Sequence, residues 1–563
     1  MPDMLATYVN APGIKRLTDW RGKGAAALTV IPVVFLGLAI VGAVRWFSPV
    51  PHWDMWDDYA SAYLHVLDGH PAAFFFAQAN EHRVVISKLL FWLDLSFFGG
   101  ESRLLIPANV ALMTLQWVAL SVIAKRLLRG SGNLWIIASC VLAAPALSWL
   151  QEANITWGYQ SQFFLAYLFP LLAFACIALS VDTQKPTLWF LVSLGFGLAS
   201  FGTMANGVAT MPLMLVLLFL LGAQSRLRIA SICIIGALAA IAWFHHFFLI
   251  PHDRPNVAQF FQFVFSFFGA PFAIIFKHRT YIEGMGILFV VASVALASWW
   301  YRHRKKADPM FAAVLIFITF IGGTAAMIAF GRAGMGANAS ITSRYTTPAL
   351  VGWCALALLF VYLFRSSLRA KFICATAGIF VALFLSQEQL KVFDDTGPAT
   401  AEKRMFAGLA LTMGIIDPIA VQNVYPMTAP GEIQNMKAKR DRLAEARISI
   451  FGDSAFTDAV AKIGNTSATE FHPCDGKIEH VESVAVDERY SRLSGWAFDR
   501  SVRPRRIPRF IYFSADGLIV GVGVTGFPRR DLPGLQSYRR RNSGFDGYAM
   551  VPAGTPLSLV CFE

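Results

Sequence analysis

Two short stretches carry most of the chemistry that can be read from this chain. The first, PHWDMWDDYASAYLHVLDGH (residues 51–70), places Asp54, Asp57 and Asp58 among Trp53, Trp56, Tyr59 and Tyr63. If residues 53–68 are helical, spacings of three and four put Asp54, Asp58, Ser61 and His65 on one side and Trp56, Ala60, Tyr63, Leu64 and Leu67 on the other. Carboxylates crowded at a membrane surface repel one another and lose hydration, which can raise the pKa of one of them and suit it to accept a proton. A solvated acidic face is the competing reading. The second stretch, AQANEHRVVISKLLFWLDL, sets Asn80, Glu81, His82 and Arg83 at the head of an apolar run. Here the competing reading is a helix start with a local Glu81–Arg83 pair, which contributes little if exposed.

These residues sit in a chain of 563 residues that is 56% hydrophobic and 15% charged, a balance that marks a membrane protein. A bilayer core about 30 Å thick takes roughly 20 apolar residues per helix. Apolar runs centre on 26–47, 103–124, 133–150, 162–181, 187–201, 208–222, 229–250, 282–301, 309–330, 347–364 and 370–387, which predicts a polytopic α-helical body of about eleven transmembrane helices. FFQFVFSFFGAPFAIIF (260–276) is apolar too, but counting it breaks the charge alternation, so a re-entrant or interfacial helix is expected. The formal net charge of +13 comes from short loops and the C-terminal tail, with no nucleic-acid-binding signature. Lys15, Arg16, Arg21 and Lys23, then Lys125, Arg126 and Arg129, Lys185, Arg226 and Arg228, Arg302 to Lys306, and Arg365 to Lys371 mark alternate loops as cytoplasmic. The N-terminus is therefore expected in the cytoplasm and everything after about residue 388 outside it.

Three regions follow: a membrane body over 1–387 with its first outer loop at 48–102, a helical connector over 388–470, and a small β-sandwich over 471–563. The tail contains RFIYFSADGLIVGVGV, two β-rich runs around Asp516-Gly517, a strong hairpin signal, with LSGWAFD and LSLVCFE as further strands. Its arginines, Arg500, Arg503, Arg505, Arg506, Arg509, Arg529, Arg530 and Arg539 to Arg541, suit anionic headgroups or glycans, or simply a solvated surface. Five cysteines lie in apolar runs, whereas Cys474 and Cys561 bracket the tail and are expected to form a disulfide in an oxidising exterior.

An acid shortly after the first span, followed by NEHR, resembles the first extracytoplasmic loop of multispan bacterial glycosyltransferases of the GT-C class, which use polyprenyl-phosphate-linked sugars. EANITWGYQSQFF (152–164), SFGTMANGVA (200–209) and GRAGMGANASITSRYTTPAL (331–350) are similar to that broad pattern, and the tail, with GWAFD and GFPRRDLPG, looks like β-domains appended to some uncharacterised members. The adjacent Asp-Glu and Asp-x-Asp forms of the family's acidic motif are absent. The resemblance implies an inverting transfer of a single sugar from a polyprenyl-phosphate carrier to an envelope glycan, lipid or protein on the periplasmic side of the inner membrane. It implies Asp54, or else Asp57, as general base. It further implies His82, Arg83, Arg332, Arg344 and Tyr345 at the donor phosphate, where planar guanidinium groups match phosphate oxygens.

For sugar or acceptor hydroxyls the corresponding residues are Asp58, Glu81, Glu152, Asn154, Trp157, Gln160 and Asn206, with Tyr159 beside them. Trp157 also suits an interfacial aromatic belt, and Lys277, His278, Arg279 and Tyr281 suit a helix-end anchor or a further contact to the phosphate. No cofactor is expected beyond the lipid-linked donor. His and Cys lack zinc spacing; Asp54 with Asp57 or Asp58 could hold a divalent cation, although hard-metal sites usually take more oxygen ligands than these residues supply. A lipid or glycan transporter or flippase, and a glycan polymerase or ligase, are the alternatives, although intramembrane charges and paired broken helices expected of a transporter are not evident. The topology has a direct check: a reporter fused after residue 388 is expected to register outside the cytoplasm, and a cytoplasmic signal overturns the assignment.

Overall fold

The computed structural model describes residues 27–251, 253–393, 400–427, 431–466, 471–499, 509–529, 531–532 and 542–562. Among them, eight helices are long and apolar enough to cross a membrane: Leu105–Leu127, Leu134–Thr156, Gly158–Asp182, Arg226–Phe244, Arg279–His303, Pro309–Met335, Ser343–Leu363 and Phe372–Phe393. Val30–Arg45, Pro186–Phe201, Ala205–Leu220 and Val257–Phe272 are apolar but shorter. The chain is thus membrane-embedded, with eight helices of spanning length where about eleven spans were expected. The segment expected to be re-entrant or interfacial forms the short helix Val257–Gly269 and a turn to Phe272.

Two compact units emerge, and their boundary departs from the linear order. The first takes the chain through Ala43, then Phe76–Ser87 and Pro107–Val392; the second takes Val44–Phe75, Lys88–Ile106 and Phe393–Glu563. The first outer loop, expected to stay with the helical body, is therefore divided.

In the first unit, loops expected to be basic meet at one end. Arg126 pairs with Asp182 and lies 3.9 Å from Asp308. Asp308 N donates to the Tyr362 hydroxyl at 3.2 Å, the Arg228 guanidinium reaches the Ser180 carbonyl at 3.5 Å, and the Arg365 guanidinium sits 3.8 Å from the Tyr362 ring centroid. Buried Gln389 crosslinks three segments: its amide nitrogen donates to the Phe35 carbonyl at 2.7 Å and its oxygen accepts from Trp149 N at 2.9 Å. The helices Val257–Gly269 and Arg279–His303 approach so closely that only glycine fits. A Cβ on Gly269 would lie 1.9 Å from the Ile282 carbonyl oxygen, and one on Gly286 would lie 1.9 Å from that of Phe265.

Among its described residues, the second unit is built on seven antiparallel strands: β1 (Phe471–Pro473), β2 (Asp475–Ser483), β3 (Ser491–Phe498), β4 (Phe510–Ala515), β5 (Leu518–Phe527), β6 (Gly544–Ala549) and β7 (Ser558–Phe562). They form one curled sheet in the order β1-β7-β4-β5-β6-β3-β2, where two stacked sheets were expected. Covering by a helix gives the physical reason. One face packs Leu493, Ala497, Ile511, Phe513, Phe545 and Ala549 into a core, while Tyr548 on the other face stacks on Phe406 of the helix Thr400–Thr412 at 5.0 Å. The connector thus takes the place of a second sheet.

At the expected hairpin, Asp516 and Gly517 have φ of 47° and 80°, the left-handed pair that a two-residue turn between twisted strands requires. Cys474 and Cys561 form a disulfide, one joining β7 to the residue after β1.

Carboxylates organise the rest of this unit. Asp94, fully buried, accepts from the Tyr59 hydroxyl at 2.6 Å, Ser102 N at 2.9 Å and Leu104 N at 2.7 Å, which folds the end of the first outer loop onto its beginning. Trp53 N donates to the Val424 carbonyl at 2.7 Å and Ser449 N to that of Gly99 at 2.8 Å, so the connector is bonded to both outer-loop segments. Asp417 caps the helix Pro418–Val421 through Ile419 N at 3.0 Å and accepts from Arg492 at 3.0 Å and from the Tyr548 hydroxyl at 2.8 Å. Replacing Asp417 with Ala leaves the buried Tyr548 hydroxyl without its acceptor and removes one of the two carboxylates that hold the part-buried Arg492. The expected loss is about 3 kcal/mol in the second unit, read as a lower midpoint of thermal unfolding.

Candidate functional site

Residues 76–83 are shaped by backbone bonding rather than by a regular helix. Ala79 and His82 exchange both backbone bonds at 2.8 Å, closing a tight turn in which Asn80 takes φ 49°. Arg83 donates from Nε to the Trp243 carbonyl at 2.7 Å and from its terminal nitrogens to the Phe76 and His245 carbonyls. Gln78 exchanges bonds with Phe248, donating to its carbonyl at 2.7 Å and accepting from its amide at 3.1 Å. Arg83 was expected at the donor phosphate; here its fork is engaged by main-chain carbonyls and fastens residues 243–248 to the turn.

The neighbouring residues face other loops of the same unit. Glu81 lies 3.5 Å from the Arg332 guanidinium, and His82 Nδ1 accepts from Ala205 N at 3.2 Å. Loss of solvent lowers the His82 pKa to about 4, with the Arg332 charge acting the same way and Glu81 opposing it. At neutral pH the ring is uncharged, and with Nδ1 accepting, Nε2 carries the proton. Asn206, next to Ala205, donates to the Thr324 hydroxyl at 3.1 Å.

A second group ties the loop 149–160 to the start of the helix Ser343–Leu363. Asn154 Nδ2 donates to the Arg344 carbonyl at 2.8 Å and to Thr347 Oγ1 at 2.7 Å, and Thr347 in turn donates to Gln151 Oε1 at 2.7 Å. Ser343 Oγ accepts from Ala153 N at 3.3 Å and donates to the Leu150 carbonyl at 3.1 Å. The Arg344 guanidinium lies 5.2 Å from the Tyr345 ring centroid, and that buried ring is surrounded by Phe163, Phe263 and Phe267.

Asn154 Oδ1, Gln160 Oε1, Asn206 Oδ1 and Arg344 Nε are buried and meet no hydrogen-bond partner among the described residues. Each such atom costs about 1–3 kcal/mol unless water or a ligand meets it. Trp157 is different. It is 7% exposed, stacks on Tyr159 at 6.0 Å and gives its carbonyl to Asn109 at 2.9 Å, so it is a packing residue where a sugar platform or belt residue was expected. Glu152 opens the short helix Glu152–Thr156, and its carbonyl accepts from the Thr156 hydroxyl at 2.9 Å. Arg279 pairs with Glu283 one turn on, at 2.5 Å, and Tyr281 is exposed.

The three aspartates belong to the second unit. Residues 56–61 form a wide π-type turn followed by the helix Ala62–Leu67, with Trp56, Ala60 and Leu64 buried as the spacing predicts and Leu67 exposed. Asp57 is ion-paired with Lys439 at 2.9 Å, which satisfies its charge. Asp54 is half-buried and its carbonyl accepts from Asp58 N at 2.8 Å.

The sequence reading overlooked Glu402, whose carboxyl burial raises to about 7 and whose Oε2 has no partner among the described residues. Its helical register with buried Phe406 and Ala410 was the available signal. Of the tail arginines, Arg529 is paired with Glu479 and Asp531, and Arg509 donates to the Met405 sulfur at 3.2 Å; Arg500, Arg503, Arg505, Arg506, Arg530 and Arg539 to Arg541 lie outside the described residues. Among the described residues, one group of side chains has metal-ligand spacing, His472, Asp499 and Cys561, but the Cys561 sulfur is bonded to Cys474.

No family model matches the chain, and no curated protein matches it either. The staple role of Arg83 is testable without knowing any substrate. Arg83→Lys, which cannot span three carbonyls, should speed amide hydrogen exchange over residues 244–248 at least about tenfold, whereas Arg332→Ala should leave it unchanged; equal effects would contradict the staple.

Proposed function

We propose that the chain is a GT-C-type glycosyltransferase that moves one sugar from a polyprenyl-phosphate carrier to an envelope glycan, lipid or protein outside the cytoplasm. The observation that carries this reading is the set of unmatched buried atoms at Asn154, Gln160, Asn206 and Arg344. They lie on loops that resemble those of the GT-C class, and they supply three acceptors and one charged donor where a polar ligand would satisfy them. A transporter would also bind such a ligand, but the reading favours chemistry because the sequence also carries an acid shortly after its first span, as in the family pattern.

In this proposal the acceptor hydroxyl attacks the anomeric carbon of the donor sugar while Asp54 takes its proton. The bond from that carbon to the phosphate oxygen breaks, its electron pair stays on the lipid phosphate, and the configuration inverts. Arg332 and Arg344 receive the phosphate charge, with the neutral His82 ring and the Tyr345 hydroxyl as further hydrogen-bond donors. Asn154, Gln160 and Asn206 hold sugar hydroxyls; Glu81, Glu152 and Asp58 are assigned to the sugar or acceptor. Asp57, paired with Lys439, is left as a structural residue. The loop charges and the Cys474–Cys561 bond support a periplasmic second unit with a cytoplasmic N-terminus.

Mass analysis of envelope glycans from cells with and without the chain tests the reading, with a deficit of one sugar expected in its absence. Asp54→Asn should slow transfer by about 10²–10⁴-fold while the protein accumulates normally, and Asp57→Asn should retain most activity. Near-normal turnover in Asp54→Asn would remove the proposed base, and binding of a lipid-linked sugar without any chemical change would favour transport instead.

A further inference from the structure

The second unit carries a polar site of its own on the outer face of the sheet, beside the part that the helix Thr400–Thr412 covers through Tyr548. β6, β3 and β2 are neighbours, and their register aligns Tyr548, Arg492 and Glu482 in one row. Asp546, Ser494 and His480 form the next row, followed by Gly544, Trp496 and Lys477. Leu493, Ala497 and Phe545, which alternate with these positions, are the ones that enter the core, so the three rows share the opposite face.

A bulge in β2 makes the second row. The register shifts between Ile478 and His480, which lets Ile478 pack against the core while His480 comes level with Ser494 on the outer face. The extra residue, Glu479, is used elsewhere, in a pair with Arg529 at 2.8 Å.

A cavity of about 280 Å³ opens here, lined by His480, Glu482, Arg492, Leu493, Ser494 and Asp546. That is near the lower end of the ~300–1,000 Å³ usual for small-molecule sites and suits a single small polar unit. Its charge pattern narrows the chemistry. Arg492 is held on both terminal nitrogens, by Asp417 at 3.0 Å and by Glu482 at 2.5 Å, so it does not stand ready for a phosphate.

A hard divalent cation is equally ill served. Such ions take six or more oxygens, and the lining offers the carboxylates of Asp546 and Glu482, the latter already on Arg492, with one serine hydroxyl. What the cavity does offer is a carboxylate that can accept from neighbouring hydroxyls, a serine that can both donate and accept, and an imidazole at the rim. Burial raises the Asp546 pKa to about 6, against the opposing Arg492 and Lys403 charges, so at neutral pH it is mostly an ionised acceptor. In the adjoining row, two residues on from Ser494 in β3 and not itself among the lining residues, the half-buried Trp496 ring stacks on Phe498 with centroids 5.7 Å apart, an aromatic group of the kind that packs against the C–H face of a pyranose ring.

We propose that this face of the sheet binds one hexopyranose unit of a glycan, with Asp546 and Ser494 on its hydroxyls and Trp496 under its ring. The site lies wholly within the second unit and does not depend on the transferase reading, since it would serve equally to hold a glycan near a membrane protein of another activity.

Saturation-transfer NMR on the detergent-solubilised full chain supplies the test, with methyl glucopyranoside, methyl mannopyranoside, methyl galactopyranoside and N-acetylglucosamine as probes. At least one should bind saturably in the millimolar range. Asp546→Asn and Trp496→Ala should each weaken it by about tenfold, as expected for loss of a charge-assisted hydrogen bond or a stacking surface. Ser494→Ala, which alters no charge and leaves the core face untouched, should weaken it severalfold and secures the test if either other variant fails to accumulate. The proposal is overturned if no probe binds, if binding is indifferent to all three substitutions, or if calcium saturates the site in their place. The envelope-glycan mass comparison for Asp54 is scored separately, so either proposal can fail alone.

Discussion

An ionised or hydrogen-bonding group inside hydrocarbon has no water to fall back on, and this constraint arranges the first unit. Charges are carried to the helix ends and matched there. Arg126 stands between Asp182 and Asp308 at one end, while Arg83 reaches three carbonyls and Arg332 approaches Glu81 on other loops. Among the polar groups that remain inside, Gln389 is a crosslink with both ends of its amide engaged. The unmatched atoms of Asn154, Gln160, Asn206 and Arg344 belong to a larger set in this unit, which also includes Ser161, Gln162, Tyr167 and Thr210; the four lie on stretches that resemble the GT-C pattern.

The second unit obeys a related rule. Its organising groups are acids that collect several donors each: Asp94 gathers one phenol and two amides, and Asp417 an amide, a guanidinium and a phenol. A carboxylate can hold that many partners because its two oxygens offer about four lone-pair directions. These acids therefore do for the outer loop and the connector what apolar packing does for the sheet, joining segments far apart in the chain.

Much of this was legible in the sequence because it depends on local pattern. Runs of apolar residues set the long helices, the Lys and Arg flanks identified loops that do meet, and Asp516-Gly517 marked its hairpin. The Cys474–Cys561 pairing followed from the position of the two cysteines at either end of the tail. Strand β6 was missed because GFDGYA alternates glycine with aromatic and acidic residues and lacks β-branched ones. A single sheet in place of two could not be read locally, since it depends on the helix Thr400–Thr412 covering the face that holds Tyr548. The candidate site was legible in residue type but less so in role. Arg83 and Trp157 look alike in sequence whether they meet a ligand or the chain itself, and only tertiary contacts separate the two.

The divided make-up of the second unit has a consequence for biogenesis. Trp53 leaves the ribosome long before Val424, the residue whose carbonyl its amide will hold, and Gly99 long before Ser449. At about 5–20 residues per second, the interval between Trp53 and Val424 lasts from roughly 20 to roughly 75 s, during which every intervening helix must be inserted. The early segment therefore waits without its partners, exposing Trp56 and Tyr59, and becomes a natural client for chaperones until the last third of the chain arrives to enclose it.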